Sequence, residues 1–178
     1  YYFQAAAGQV SLMRAREPLE QVLADPVTPE PVRRQLLVVD AALWFARLEL
    51  GLPATHSYRH YADLGRTSVV WNVFAAPEYS VRPAESCFPF AGCVPYRGFY
   101  AEADARSHAR QLADNGLDTF VGGVAAYSTL GWFDDPVLST FIGFPEAELA
   151  RIIFHELAHQ TVYVRDDTPF NESFAVAV

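Results

Sequence analysis

Ile152-Ile153-Phe154-His155-Glu156-Leu157-Ala158-His159 decides how this chain is read. The spacing predicts a helix over residues 145 to about 162. Pro145 suits the first turn, and Glu146 and Glu148 lie where the helix dipole favours anions. Residues four apart share a helix face, so His155 and His159 point their imidazoles at one place. Neutral imidazole is a good ligand for Zn2+. Glu156 sits roughly 100° around the axis from His155. It flanks the ligand face without joining it, which suits a general base acting on water. A chance H-E-x-x-H in a chain of this composition has odds of about 1%. The helix is apolar nearly all round from Ile152 to Leu157, so it reads as buried. Buried histidines without partners are costly, and a shared cation removes that cost.

A zinc site of this type needs a third protein ligand. Pro169-Phe170-Asn171-Glu172-Ser173-Phe174-Ala175 supplies one in Glu172. It follows the turn-like Arg165-Asp166-Asp167-Thr168. Pro169 and Asn171 suit the start of another helix, which places Glu172 in its first turn, turned back toward the histidine pair. The expected metal set is His155, His159 and Glu172 with one Zn2+ per chain, and Glu156 is the expected catalytic base.

Length and composition suit one domain with a buried core. The 178 residues are 51% hydrophobic and 19% charged, enough to bury a core and too apolar for disorder. The net charge of −8 argues against a nucleic-acid partner. All 13 basic residues are Arg. No apolar run reaches the ~18–20 residues of a membrane span.

The remaining elements place this helix in an α+β domain. A helix is expected from residue 2 to about 23, broken near Pro18 and ended by Asp25-Pro26. A second runs from about 29 to 50, capped by Thr28 and stopped by Gly51-Leu52-Pro53. Leu36, Val39, Leu43, Ala46 and Leu50 form its packed stripe. Residues 57–66 read as irregular. Residues 68–75 read as a strand, and 94–100 as a shorter one. Residues 101–115 form an Ala-rich helix with a Glu102/Arg106 pair and Gly116 as its cap. Residues 119–127 form a strand whose Gly122-Gly123 marks a bulge or a close backbone approach. Residues 128–144 are a turn-rich connection, with Asp134-Asp135-Pro136 as a turn. One domain over 1–178 is expected. It has a helical part at about 1–52 and a sheet with active-site helices at about 68–178, and it continues beyond Val178.

Cys87 and Cys93 are separated by five residues, unlike a zinc knuckle or redox pair. Pro89 and Gly92 favour a bend between them, so a small disulfide loop is expected, and with it an oxidising compartment. Tyr127, at the end of the Gly-containing strand, is the candidate oxyanion donor, with Tyr163 as runner-up. His56 and His60 read as loop residues and His108 as solvated. Arg97 reads as a structural ion-pair residue.

HExxH followed by Asn171-Glu172-x-x-Ala175 resembles the gluzincin metallopeptidases. The whole chain is similar to the predicted bacterial aminopeptidase family of zinc-dependent lipoproteins. The similarity rests on Val70-Trp71-Asn72-Val73, Cys87-Phe88-Pro89 through Cys93, Tyr96-Arg97-Gly98, the run from Ala126 to Pro136, and the segments at 154–160 and 170–175. The resemblance implies a zincin-like fold with a small mixed sheet. It also implies a zinc-dependent aminopeptidase acting on a peptide or protein substrate. It further implies a periplasmic or cell-envelope location, with a secretion signal and lipid-anchored Cys upstream of Tyr1. An edge strand at 121–127 is then expected to bind substrate backbone. Two other readings follow from the residues: an endopeptidase, or a non-catalytic metal- or peptide-binding envelope protein.

Overall fold

The computed structural model describes residues 1–88, 92–126, 129 and 133–178. Its elements are α1 (Tyr2–Arg14), β1 (Arg16–Pro18), α2 (Leu19–Ala24), α3 (Glu30–Leu48), β2 (His60–Ala62), β3 (Val70–Pro77), β4 (Ser86–Phe88) and β5 (Gly92–Val94). They continue with β6 (Arg97–Phe99), α4 (Glu102–Asp114), β7 (Leu117–Val124), β8 (Val137–Leu138), α5 (Glu146–Thr161) and α6 (Thr168–Ala177). This is an α+β chain. No described helix is long and apolar enough to cross a membrane. The chain forms two compact units, Tyr1–Val10 with Ser68–Ala125, and Ser11–Thr67 with Ala126–Val178.

The first unit is built on an antiparallel sheet of order β6-β3-β7. Strand period two puts Trp71 and Val73 of β3 on one face. Phe99 lies opposite Trp71 on β6, and Val121 opposite Val73 on β7. That face packs on α4 through Ala105 and Ala109, whose small side chains let the helix lie close to the sheet. The Glu102/Arg106 pair forms at 2.6 Å, on the surface. Gly116, just past the helix, takes a φ of 82°, the left-handed geometry of a helix stop. The β3–β7 register runs unbroken from Val70↔Val124 to Pro77↔Leu117. Gly122-Gly123 is therefore no bulge. A Cβ at Gly123 would strike the Ser68 hydroxyl, so a close approach is what requires glycine there.

Cys87 and Cys93 face each other across β4 and β5 and form a disulfide. Pro89 lies outside the described residues. The segment at 94–100, expected as one strand, splits into β5 and β6 around Pro95-Tyr96. Proline cannot donate to a ladder, which ends β5 there. Among the described residues Arg97 has no ion-pair partner. Its guanidinium lies 4.2 Å from the centre of the Tyr1 ring. His108 is not a solvated residue. It is half-buried beside the Phe99 ring, and burial lowers its pKa.

Tyr1 and the part of α1 up to Val10 belong to this unit. The Tyr100 hydroxyl donates to Gln9 Oε1 at 2.7 Å, and the Tyr100 ring fills the space beside Gly8. A Cβ at Gly8 would overlap ring carbons of Tyr100. Gly8→Ala is therefore expected to destabilise the protein by about 1–3 kcal/mol despite alanine's better helix propensity. A lowered urea midpoint with an unchanged slope measures this.

In the second unit β1 pairs antiparallel with β2, and β2 pairs parallel with β8. The helix expected over residues 2 to 23 is two helices with a strand between them. Pro18 has no N–H and sits at φ −55°, ψ 135°, which ends β1 and opens α2. The supposedly irregular stretch at 57–66 contains β2, so His60 lies on a strand. Thr28 does not cap α3. Its hydroxyl donates to the Val22 carbonyl, and Pro29 takes the cap position. In α3 Leu36, Val39, Leu43 and Ala46 are buried as their spacing predicts, while Leu50 lies past the helix end and is exposed. α3 packs against α5, and Phe45 meets Phe154 with ring centres 5.9 Å apart. Leu149, Ile153 and Leu157 recur every four residues on α5 and are fully buried. This stripe fixes the rotation of α5, and with it where His155, Glu156 and His159 point.

Candidate metal centre

α5 and α6 carry the candidate ligands. α5 ends after Thr161, and an extended link leads to a turn in which Asp166 takes a φ of 61°. Asp167 then caps α6, its side chain accepting from the Phe170 N–H at 3.1 Å. α6 begins at Thr168, because Asp167 rather than a later residue takes the cap, so Glu172 lies in the second turn and not in the first turn its sequence setting predicts.

The three side chains converge. His155 Nε2 and His159 Nε2 are 3.2 Å apart, with the rings nearly perpendicular. Glu172 Oε2 is 3.2 Å from His155 Nε2, and Glu172 Oε1 is 3.7 Å from His159 Nε2. One ligand atom from each lies within 4.8 Å of the others. His159 is 7% exposed and His155 17%, while Glu172 is 55% exposed. The group is thus walled by the histidines and open on the Glu172 side.

This arrangement fits a Zn2+ ion. Among the described residues both Nδ1 atoms are buried without a hydrogen-bond partner. A neutral imidazole has one N–H and one lone pair, so with both protons on Nδ1 the two Nε2 atoms turn their lone pairs to one point, where a cation can accept both. Two nitrogens held about 2.0–2.1 Å from one tetrahedral ion stand about 3.3 Å apart, close to the spacing seen. Burial lowers the pKa of His159, against the opposing pull of Glu172. That keeps the imidazole in its neutral, ligating form. Cys87 and Cys93 also stand near a carboxylate, Glu85, but their sulfurs are joined to each other.

Glu156 is half-buried and makes none of these contacts. Its pKa is pushed up to about 7, first by burial, then by the carboxylates of Glu172 and Asp135. A carboxyl group that titrates near neutrality can both take and return a proton.

Several neighbours escaped sequence reasoning. Asp135 is 4% exposed. Its carboxylate accepts from the Thr129 N–H and hydroxyl at 2.8–2.9 Å, and its carbonyl accepts from the Tyr58 N–H. Asp134-Asp135-Pro136 had no pattern beyond a turn, so nothing marked Asp135 as buried. Gln160 donates to the buried Ser57 hydroxyl, tying α5 to the segment before β2. Asn171 is 2% exposed and bonded to the backbone of Val164.

Tyr127 lies outside the described residues. Tyr163 is exposed. Among the described residues β7, which ends at Val124, lies at one edge of its sheet, so the strand expected over 121–127 is described only in part. His56 and His60 are not among the grouped ligands.

No curated protein and no solved structure matches the chain. One family model, described as "Putative aminopeptidase", matches residues 1–178. With an HExxH helix and a following Asn-Glu helix inside that match, the chain belongs to this aminopeptidase family.

Proposed function

We propose that this protein is a zinc-dependent metallopeptidase of zincin-like fold that removes N-terminal residues from peptides. One observation carries the reading: His155, His159 and Glu172 converge on one point, with Glu156 next to His155 on the same helix. A Zn2+ ion held by those three residues supplies Lewis-acid polarisation of the scissile carbonyl and lowers the pKa of water toward neutrality. Glu156 then takes a proton from the attacking water and returns it to the amine of the departing fragment. The half-buried setting of Glu156 and its two acidic neighbours favour this role, because they hold its basicity near working pH.

Exopeptidase action is supported by the family and tested on matched peptides. A peptide with a free N-terminus is expected to be shortened from that end. The same peptide with an acetylated N-terminus is expected to survive. Internal cleavage of the acetylated peptide would make the protein an endopeptidase. Zinc binding without cleavage of either would make it a metal-binding protein. The Cys87–Cys93 disulfide is what an extracytoplasmic enzyme would carry, and it supports a location in the cell envelope.

A further inference from the structure

Glu172 poses a problem of placement. It is a long, flexible side chain, more than half exposed, yet its carboxylate sits within 3.2–3.7 Å of two imidazole nitrogens. Something must hold the backbone that bears it. The neighbouring residue does so. Asn171 is 2% exposed. Its Oδ1 accepts from the Val164 N–H at 2.7 Å, and its Nδ2 donates to the Val164 carbonyl at 2.7 Å. These two bonds close a ring like a β-bridge, with a side-chain amide in place of one strand. The pairing also fixes which way the amide faces, since reversing it would set donor against donor. Val164 belongs to the link that leaves α5, two residues after its cap at Val162. Asn171 belongs to the early part of α6, where its own N–H donates to the Asp167 carbonyl. The clamp therefore joins the exit of the histidine helix to the entry of the glutamate helix.

We propose that Asn171 is a positioning residue that sets Glu172 as the third metal ligand by pinning the start of α6 to Val164. The inference rests on the metal reading above. Loss of the clamp leaves His155 and His159 in place on α5, whose rotation is set by its own buried stripe. It frees only the third arm.

Asn171→Leu removes both bonds at similar volume. The test is the zinc dissociation constant, measured by competition with a chromophoric chelator, for Asn171→Leu in two backgrounds: the otherwise intact chain and Glu172→Ala. Far-UV circular dichroism shows whether each variant is folded, and Asn171→Ser takes the place of Asn171→Leu if that variant is not. In the intact background affinity is expected to fall roughly 10–100-fold. In the Glu172→Ala background the same substitution is expected to change it by less than about twofold, because the arm it positions is already gone. Cobalt(II) in place of zinc should show an altered visible spectrum for Asn171→Leu in the intact background alone. Equal losses in both backgrounds, or no loss in the intact one, would overturn the positioning role. An intact chain that binds no zinc would instead overturn the metal reading, and this proposal with it.

Discussion

Glu156→Gln is expected to lower peptide turnover by about 10²–10⁴-fold while zinc stays bound. Glutamine keeps the shape of the side chain and its place on α5, but cannot accept the water proton. Because Glu156 makes no contact within the His155, His159 and Glu172 group, the metal set is untouched. A fall in kcat at unchanged zinc content identifies the proton-transfer step. Loss of zinc together with activity would instead make Glu156 part of the metal set. The same substitution carries a second signature in the metal-free protein. The Glu156 carboxyl titrates at about 7 when folded, against an ordinary value of 4.5. Between those values the unfolded chain loses its proton first, so stability falls as pH rises and levels off above pH 7. Glutamine removes that loss. The variant should match the intact chain near pH 4 and exceed it at pH 8 by about 1–3 kcal/mol in metal-free unfolding. A residue that raises stability when its activity is removed is what a buried catalytic carboxylate predicts.

His159→Ala has the other large expected effect. His159 is the most buried of the three proposed ligands, and its Nε2 lies close to both of the others. Its removal leaves two ligands, one of them exposed. Zinc affinity should fall by more than the roughly 10–100-fold typical of residues that only support a ligand. Activity should fall with it and return only at high added zinc. The fold should survive, because Leu149, Ile153 and Leu157 hold α5 on their own face. Equilibrium dialysis against graded zinc measures the first effect, and circular dichroism the last. Unchanged zinc content in His159→Ala would place the metal elsewhere.

The site was legible because helix periodicity is a local rule. The spacing of His155, Glu156 and His159 specifies a face, and the apolar residues around them specify burial. Glu172 was found by its setting after a turn, and its carboxylate does lie beside both imidazoles. The α3 stripe and the strand at β3 followed from pattern for the same reason. What was missed depends on partners distant in sequence. β1, β2 and β8 are two or three residues long, and their pairing joins segments far apart, so no local pattern announces them. Pro18 reads equally as a helix kink or a strand end, and pairing with His60 decides between them. Asp135 reads as part of a turn and His108 as a solvated residue, because a polar side chain gives no local sign of burial unless a partner is known. Thr129 and Phe99 are those partners. Asn171 was read as a helix-start residue, and only its bonds to Val164 reveal the clamp.

Elemental analysis of the intact protein, purified under metal-replete conditions and dialysed free of loose ions, tests the central claim most directly. About one zinc per chain, falling sharply in Glu172→Ala, is the predicted result. An intact chain that retains no zinc would contradict the account, and one zinc unaffected by Glu172→Ala would remove the third ligand from it.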